Sequence, residues 1–214
     1  MIDRAGWQAI WDRYGQTTIN IYLFLSFGLW CLWSTWQSFL QGNLSAMELS
    51  FVVPNFILVT LFLLRKPHRV FCTSWFDQLI SLIAFFSGMA LMGSKPTGGE
   101  SALMASGAVI VAANVIGLIT LLNLGKSFGI FIAFRELRQS GLYGIIRHPM
   151  YFSDILLRVG YVISHTDPFS VMVVLGSTGC YVYRAILEER FLSQQPEYAE
   201  YMTRVRFRFI PGVF

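Results

Sequence analysis

Apolar and polar positions divide the chain into a short amphipathic opening, six apolar runs and a polar, aromatic tail. In residues 1–15, Trp7, Ile10, Trp11 and Tyr14 recur at helical spacing, while Asp3, Arg4, Gln8, Asp12 and Arg13 take the opposite face. That pattern predicts an amphipathic helix lying in a membrane interface. Apolar runs follow at about residues 19–39, 49–64, 76–92, 103–122, 150–164 and 169–187. At ~1.5 Å per residue, a run of ~20 residues crosses a hydrocarbon layer of ~30 Å. Trp30, Trp33 and Trp36 cluster toward the end of the first run, as an aromatic belt would. Pro54 predicts a kink in the second run unless it falls in the first turn. In the fourth, the four-residue spacings Ala108/Ala112 and Ala113/Gly117 would let a neighbouring helix approach closely. The connection from Asn123 to Pro149 is too long for a plain loop and is expected to carry structure of its own. Pro196 marks the start of a short helix in the tail.

Composition agrees with this pattern. The chain of 214 residues is 55% hydrophobic and only 13% charged, against about 25% charged in an ordinary soluble domain. The fold class expected is therefore all-α, a polytopic membrane bundle of five or six transmembrane helices. The fifth run is the uncertain member, since 150–164 could dip into the interface without crossing. The net charge of +4 does not point to nucleic acid, because the bases are dispersed among the connections. Lysine and arginine alternate rich and poor along the non-spanning segments, which puts both termini, residues 65–75 and the long connection on the cytoplasmic side. Cys31, Cys72 and Cys180 have no metal-ligand or redox spacing and read as small apolar residues. No metal site and no obligate protein partner is indicated.

Chemistry concentrates in two stretches. Gly141–Tyr151 (GLYGIIRHPMY) places Arg147, His148, Pro149 and Tyr151 at the entrance to the fifth run, with Asp154 and Arg158 further along it. Tyr183–Glu189 (YRAILEE) places Arg184, Glu188 and Glu189 at the end of the sixth. Arg184 and Glu188 are four apart, as are Asp154 and Arg158, so each pair shares one helical face. Ionisable side chains in an apolar protein are costly unless they face a cavity or one another. Carboxylates suit an ammonium or ribose hydroxyls, guanidinium groups suit a carboxylate, and tyrosine rings suit a cation or a base. A zwitterionic or nucleotide-like ligand fits this equipment. Taken singly, each residue reads more readily as an interfacial anchor, and it is the two clusters converging on one side that favour a site. No GxGxxG after a strand, P-loop or HExxH is present.

From LGKSF (124–128) through GLYGIIRHPMY and RAILEERFL to EYAEYMTRVRFRFIPGVF, the chain resembles the isoprenylcysteine carboxyl methyltransferase family and its prokaryotic relatives. These are integral membrane enzymes that use S-adenosylmethionine. The resemblance implies that Tyr143, His148, Pro149, Tyr151, Glu188 and Glu189 bind the cofactor. It implies catalytic roles for Arg147 or Arg184, which would orient an anionic acceptor; if the acceptor is instead an amine, a base is required, and Asp154 or Glu188 is the candidate. Tyr198 and Tyr201 would pack a lid over the pocket. Leu142 stands where the family commonly has proline, and Gly144 where a second aromatic is common.

The function expected is methyl transfer from S-adenosylmethionine to a hydrophobic or lipid-like acceptor, a carboxylate, amine or thiol, arriving from the bilayer. The setting implied is a prokaryotic inner membrane. The chain is read as one membrane domain, with residues 19–122 a four-helix scaffold and 123–214 the catalytic core. Asp154 after RHPMYFS and the aromatic tail also resemble membrane sterol reductases. Those would use NADPH and set Tyr151 and Asp154 around a hydride acceptor.

Overall fold

The structure is a computed structural model that describes residues 15–40, 42, 46–91 and 95–213. The amphipathic helix expected over residues 1–15 lies outside the described residues, save its last. Among the described residues 74% are helical, with seven α-helices, and the chain forms two compact units divided between Pro67 and His68.

The first unit is a pair of helices, α1 (Gln16–Leu40) and α2 (Ala46–Leu64). They run antiparallel, since Phe27 meets Phe62 and Gly28 meets Val59, while Arg65 Nε donates to Asn20 Oδ1. The hydroxyls of Ser26 and Thr35 bond back to the carbonyls of Tyr22 (2.7 Å) and Cys31 (2.8 Å), which satisfies them within an apolar helix. Pro54 lies well past the first turn of α2, and the helix continues through it to Leu64.

The second unit carries the remainder. Strand β1 (Val70–Phe71) pairs antiparallel with β2 (Ala133–Phe134). Helix α3 (Trp75–Phe86) is capped by Ser74, whose hydroxyl accepts the Asp77 amide. Then follow α4 (Glu100–Leu124), α5 (Pro149–Ser164), α6 (Pro168–Leu192) and α7 (Pro196–Arg204). The last three each open on proline, whose missing N–H is no loss in a first turn. The Asp167 carboxylate caps α6 by accepting the Ser170 amide (2.9 Å).

Helix α4 packs on α5, and α6 on both α3 and α5. A Cβ at Gly117 would lie 3.2 Å from Ser153 Oγ, and one at Gly160 would lie 2.9 Å from Ile110 Cγ1. Of the two small-residue rows anticipated on α4, Ala113/Gly117 faces α5, while Ala108 and Ala112 are exposed. The partner helix, with its own glycine and serine, selects the row.

The third apolar run does not form one α-helix from 76 to 92. It is α-helical to Phe86 and tightens to a 3₁₀ helix over Ser87–Leu91. A guanidinium from α5 explains the change. Arg158 Nη2 donates to Ser87 Oγ (3.0 Å) and lies beside Gly88, and the Tyr161 hydroxyl donates to the Leu91 carbonyl (2.9 Å).

Among the described residues three helices are long and apolar enough to cross a membrane: Thr17–Leu40, Glu100–Ser127 and Pro168–Leu192; Leu49–Leu64 and Trp75–Phe86 are shorter apolar helices. Leu25, Leu29, Trp33, Met104, Ile119, Met172 and Leu175 are among the large side chains left exposed on the long helices. In lipid that exposure costs nothing, whereas in water each such side chain forgoes ~1.5–3 kcal/mol of burial. The protein is a membrane helix bundle.

Asn123–Pro149 is structured, as its length requires. It holds 3₁₀ turns at Gly125–Ser127 and Gly141–Gly144, with β2 between them. The buried Gln78 amide fastens it to α3, donating to the carbonyls of Cys72 (2.8 Å) and Ile132 (3.0 Å) and accepting the Ile132 amide (2.9 Å).

Candidate functional site

Proline 149 starts α5 and ends the extended backbone before it, so Arg147 and His148 sit on a short strand-like segment. The tail runs parallel to that segment. Ile146 bridges Phe207, and the amides of Arg147 and His148 donate to the carbonyls of Phe207 and Arg208, each at 2.9 Å. The tail is thereby strapped across the start of α5, facing the end of α6.

Glu189 sits at the centre of this strap with only 3% of its surface exposed. Its Oε1 accepts from Arg147 Nε (2.6 Å) and meets His148 Nε2 (3.1 Å), and its Oε2 accepts from Arg208 Nε (2.8 Å). Arg147 Nη1 reaches on to the carbonyls of Val205 (2.9 Å) and Arg206 (2.8 Å). One carboxylate thus ties the Arg-His-Pro motif, α6 and the tail together. Charge-assisted bonds of this kind are about twice as strong as neutral ones.

Glu188, one residue earlier, points to a different neighbourhood and is half-buried. Its Oε2 accepts the Tyr151 hydroxyl. The Tyr151 ring is stacked on His148 (centroids 5.2 Å apart, planes 7° apart), and the Arg184 guanidinium lies 5.1 Å from the Tyr151 ring centre. Arg184 is held by the carbonyls of Ser81 and Ile130, while its buried Nε has no hydrogen-bond partner among the described residues. Deeper along α5 and α6, the Tyr181 ring lies 5.5 Å from that of Tyr151, with the Arg158 guanidinium 4.6 Å from its centre. Asp154 is within hydrogen-bonding reach of the Tyr181 hydroxyl. Arg158 donates to the Asp154 main-chain carbonyl (2.8 Å), to Ser177 Oγ (3.0 Å) and to Ser87 Oγ.

The tail supplies the outer wall. Tyr198 and Tyr201 are buried with Phe134, Leu192 and Val205, and the Tyr201 hydroxyl donates to the Tyr143 carbonyl (2.6 Å). Burial pushes the Tyr201 phenol well up, and does the same to Tyr198 with help from Glu188 and Glu189, so both stay neutral donors. The structure therefore gathers Tyr143, Arg147, His148, Pro149, Tyr151, Asp154, Arg184, Glu188 and Glu189 around the junction of α5, α6 and the tail. Among the described residues no group of three or more His, Cys, Asp or Glu side chains is placed to hold a metal.

Residues 101–199 match the family model described as phospholipid methyltransferase. This segment is a phospholipid methyltransferase domain, of the family of isoprenylcysteine carboxyl methyltransferase-like membrane methyltransferases. No curated protein matches the chain. The methyltransferase domain takes in α4 as well as the motif-bearing α5 and α6, and ends within α7. Two cations that sequence reasoning passed over now join the site. Arg208, beyond the domain's end, completes the Glu189 cluster. Arg135, inside it, is buried, and Glu188 acts on it electrostatically. Neither had a local signal beyond being a base in a connection, where bases normally contact solvent or headgroups.

Proposed function

We propose that this membrane methyltransferase uses S-adenosylmethionine and acts on a lipid-like acceptor that arrives from the bilayer. The observation carrying this reading is the pairing of Tyr151 with Glu188 at the end of α6, between the His148 ring and the Arg184 guanidinium, inside a methyltransferase domain. Glu188 keeps one carboxylate oxygen beyond its bond to Tyr151. The buried Nε of Arg184 is unpaired among the described residues. A buried donor such as the Arg184 Nε costs about 1–3 kcal/mol unless an acceptor meets it, and the half-buried Glu188 carboxylate offers a cation its second oxygen, so the residues present fit a cofactor carrying both ammonium and hydroxyl groups.

S-adenosylmethionine, when bound, supplies a methyl group on a positively charged sulfur. The chain's task is to hold donor and acceptor in line and to exclude water. Glu188 takes the cofactor's ammonium, and Tyr151 and His148 form an aromatic wall beside it. Arg147 and Glu189 fix the tail over the site rather than meeting the acceptor. Asp154, deeper along α5, takes the proton released if the acceptor is an amine, the chemistry suggested by the family's description. Pro149 fixes the start of α5, Tyr143 closes the outer edge, and Arg184 holds the Tyr151 ring. The pocket opens to the cytoplasm, where the cofactor is found. No feature of the site favours a sterol-type reductase.

Glu188→Gln tests the assignment. Loss of one charge-assisted bond, ~1.5–3 kcal/mol, weakens S-adenosylhomocysteine binding about 10–100-fold in detergent-purified protein. The thermal unfolding midpoint without ligand stays near wild type, because glutamine still offers an oxygen to the Tyr151 hydroxyl that Glu188 accepts. Undiminished binding removes Glu188 from the site. Transfer of labelled methyl from S-adenosylmethionine to extracted lipids then identifies the acceptor class.

A further inference from the structure

The tail changes character at Phe209. Arg206 and Arg208 precede it, whereas from Phe209 through Val213 (FIPGV) no side chain is polar. Phe209 is buried in one cluster with Ala84 of α3, Tyr151 of α5, and Tyr181 and Ala185 of α6, and its ring centre lies 5.9 Å from that of His148. The residues after it turn back out. The Val213 amide donates to the Ile210 carbonyl (3.2 Å), and Gly212 takes a φ of 83°, the left-handed value its place after Pro211 in such a turn requires. Ile210 and Val213 are left 47% and 76% exposed.

The level of this turn in the membrane follows from what the strap touches. Its backbone is bonded to Arg147 and His148, directly before the fifth apolar run, and so lies at the cytoplasmic edge of the hydrocarbon. The Phe209 ring reaches below that edge. Its cluster includes Ala84, which lies eight residues past Phe76 at the start of the third run, or ~12 Å at ~1.5 Å per residue. It also includes Tyr181, six residues before the sixth run ends at Leu187, or ~9 Å. An apolar turn continuing from Phe209 at this level meets lipid. Its backbone suits the boundary between headgroups and acyl chains, since Pro211 has no N–H and the Val213 amide is already bonded.

We propose that the Ile210–Val213 turn is a membrane anchor, its two exposed side chains set among the upper acyl chains of the cytoplasmic leaflet, and that it holds the strap on the site from the lipid side. The strap is then fixed twice, by Glu189 within the protein and by the bilayer outside it. Arg147 and His148 are bonded to that strap, so the bilayer itself helps to keep the candidate site closed. The inference holds whichever cofactor or acceptor the site takes. Lipid is the assigned partner because of the level at which the turn lies, and a covering protein is an outcome of the test.

The test places a fluorophore on the full-length protein in phospholipid nanodiscs, at Val213→Cys and, for comparison, at Thr203→Cys on the exposed face of α7. Both variants also carry Cys180→Ala. Cys31 and Cys72 are buried, and the Cys180→Ala parent measures any label they take. Lipids brominated on the acyl chain should quench the label at 213 and leave the label at 203 bright, while aqueous iodide quenches at 203. Bromolipid quenching no greater at 213 than at 203 overturns the proposal: iodide access at 213 then puts the turn in water, and protection from both quenchers puts it under protein. The anchoring role is read from hydrogen exchange at the Arg147 and His148 amides. Val213→Asp, at a side chain 76% exposed, should leave the protein folded but make both amides exchange several-fold faster, with Val213→Leu matching wild type. Should Val213→Asp not fold, Val213→Asn takes its place. Unchanged exchange in the folded variant overturns the anchoring of the strap.

Discussion

Replacing Glu189 by glutamine separates a structural carboxylate from a ligand-binding one. In the folded protein Glu189 is 3% exposed and meets three bases: Arg147 at 2.6 Å, Arg208 at 2.8 Å and His148 at 3.1 Å. Glutamine keeps the shape and one acceptor oxygen. It also turns an NH₂ group toward one of the guanidinium groups and leaves Arg147, whose side chain is 7% exposed, without a counter-charge. Removing one partner of a buried ion pair costs ~3–5 kcal/mol, and the retained acceptor puts this case near ~3 kcal/mol. For a chain of this size ~1 kcal/mol moves the unfolding midpoint by ~2–4 °C, so the drop expected is ~6–12 °C. The measurement is thermal unfolding by intrinsic fluorescence in one detergent at one heating rate. Hydrogen exchange at the amides of Arg147 and His148, which bond the tail at Phe207 and Arg208, is followed alongside. Both amides should exchange faster in the variant as the strap loosens. Arg208→Met, at a side chain 28% exposed, should cost clearly less than Glu189→Gln. A midpoint within ~2 °C of wild type, when ~6 °C or more is expected, together with unchanged exchange would show that Glu189 does not hold the strap, and the structural role would be withdrawn.

Two further outcomes follow from the helix contacts. Gly160→Val drives a side chain into Ile110 and Val109, both within 3.1 Å of the Cβ position, and overpacking of that kind costs ~1–3 kcal/mol. Ala112→Val, on the exposed face of the same α4, should leave the midpoint unchanged, and equal losses in the two variants would refute the α4–α5 packing. The Asp167 carboxyl is held below its usual range by its bond to the Ser170 amide. Its contribution is therefore present above the unfolded-state value of about 3.9 and is lost as pH falls through the lower folded value. Asp167→Asn should flatten that acid limb of the melting curve in a detergent tolerating low pH, and an identical limb in both proteins would remove the cap as its cause.

The helices most legible in the sequence are those whose order comes from their own composition. Runs 19–39, 49–64 and 103–122 emerge as helices close to those bounds because an apolar segment without competing polar groups has one way to satisfy its backbone in lipid. The third run failed as a single helix for a reason outside itself, the reach of Arg158 from α5 into Ser87. The small-residue rows of α4 show the same limit, since Ala108/Ala112 and Ala113/Gly117 are equivalent until α5 brings Ser153 and Gly160 to one of them. Arg135 and Arg208 were counted only as loop bases. Burial distinguishes them from Lys126 or Arg206, which stay exposed, and burial depends on contacts with Gly129 and Glu189 that are distant along the chain or hidden within one loop.

The glutamate pair is the one place where elementary geometry already held more than the motif conveyed. Consecutive residues on a helix of ~3.6 residues per turn diverge by ~100°, so two adjacent side chains cannot share a face. Glu188 and Glu189 must therefore meet different surroundings wherever α6 is packed on two sides, and a common role for both was never open to them. The structure shows the division: Glu189 turns to Arg147, His148 and the tail, and Glu188 to Tyr151. Arg184, four residues before Glu188, shares its face and stands over the same Tyr151 ring. The face of α6 that carries Arg184 and Glu188 is thus the one available to a ligand. The face that carries Glu189 is spent on fastening the Arg-His-Pro motif and the tail to α6.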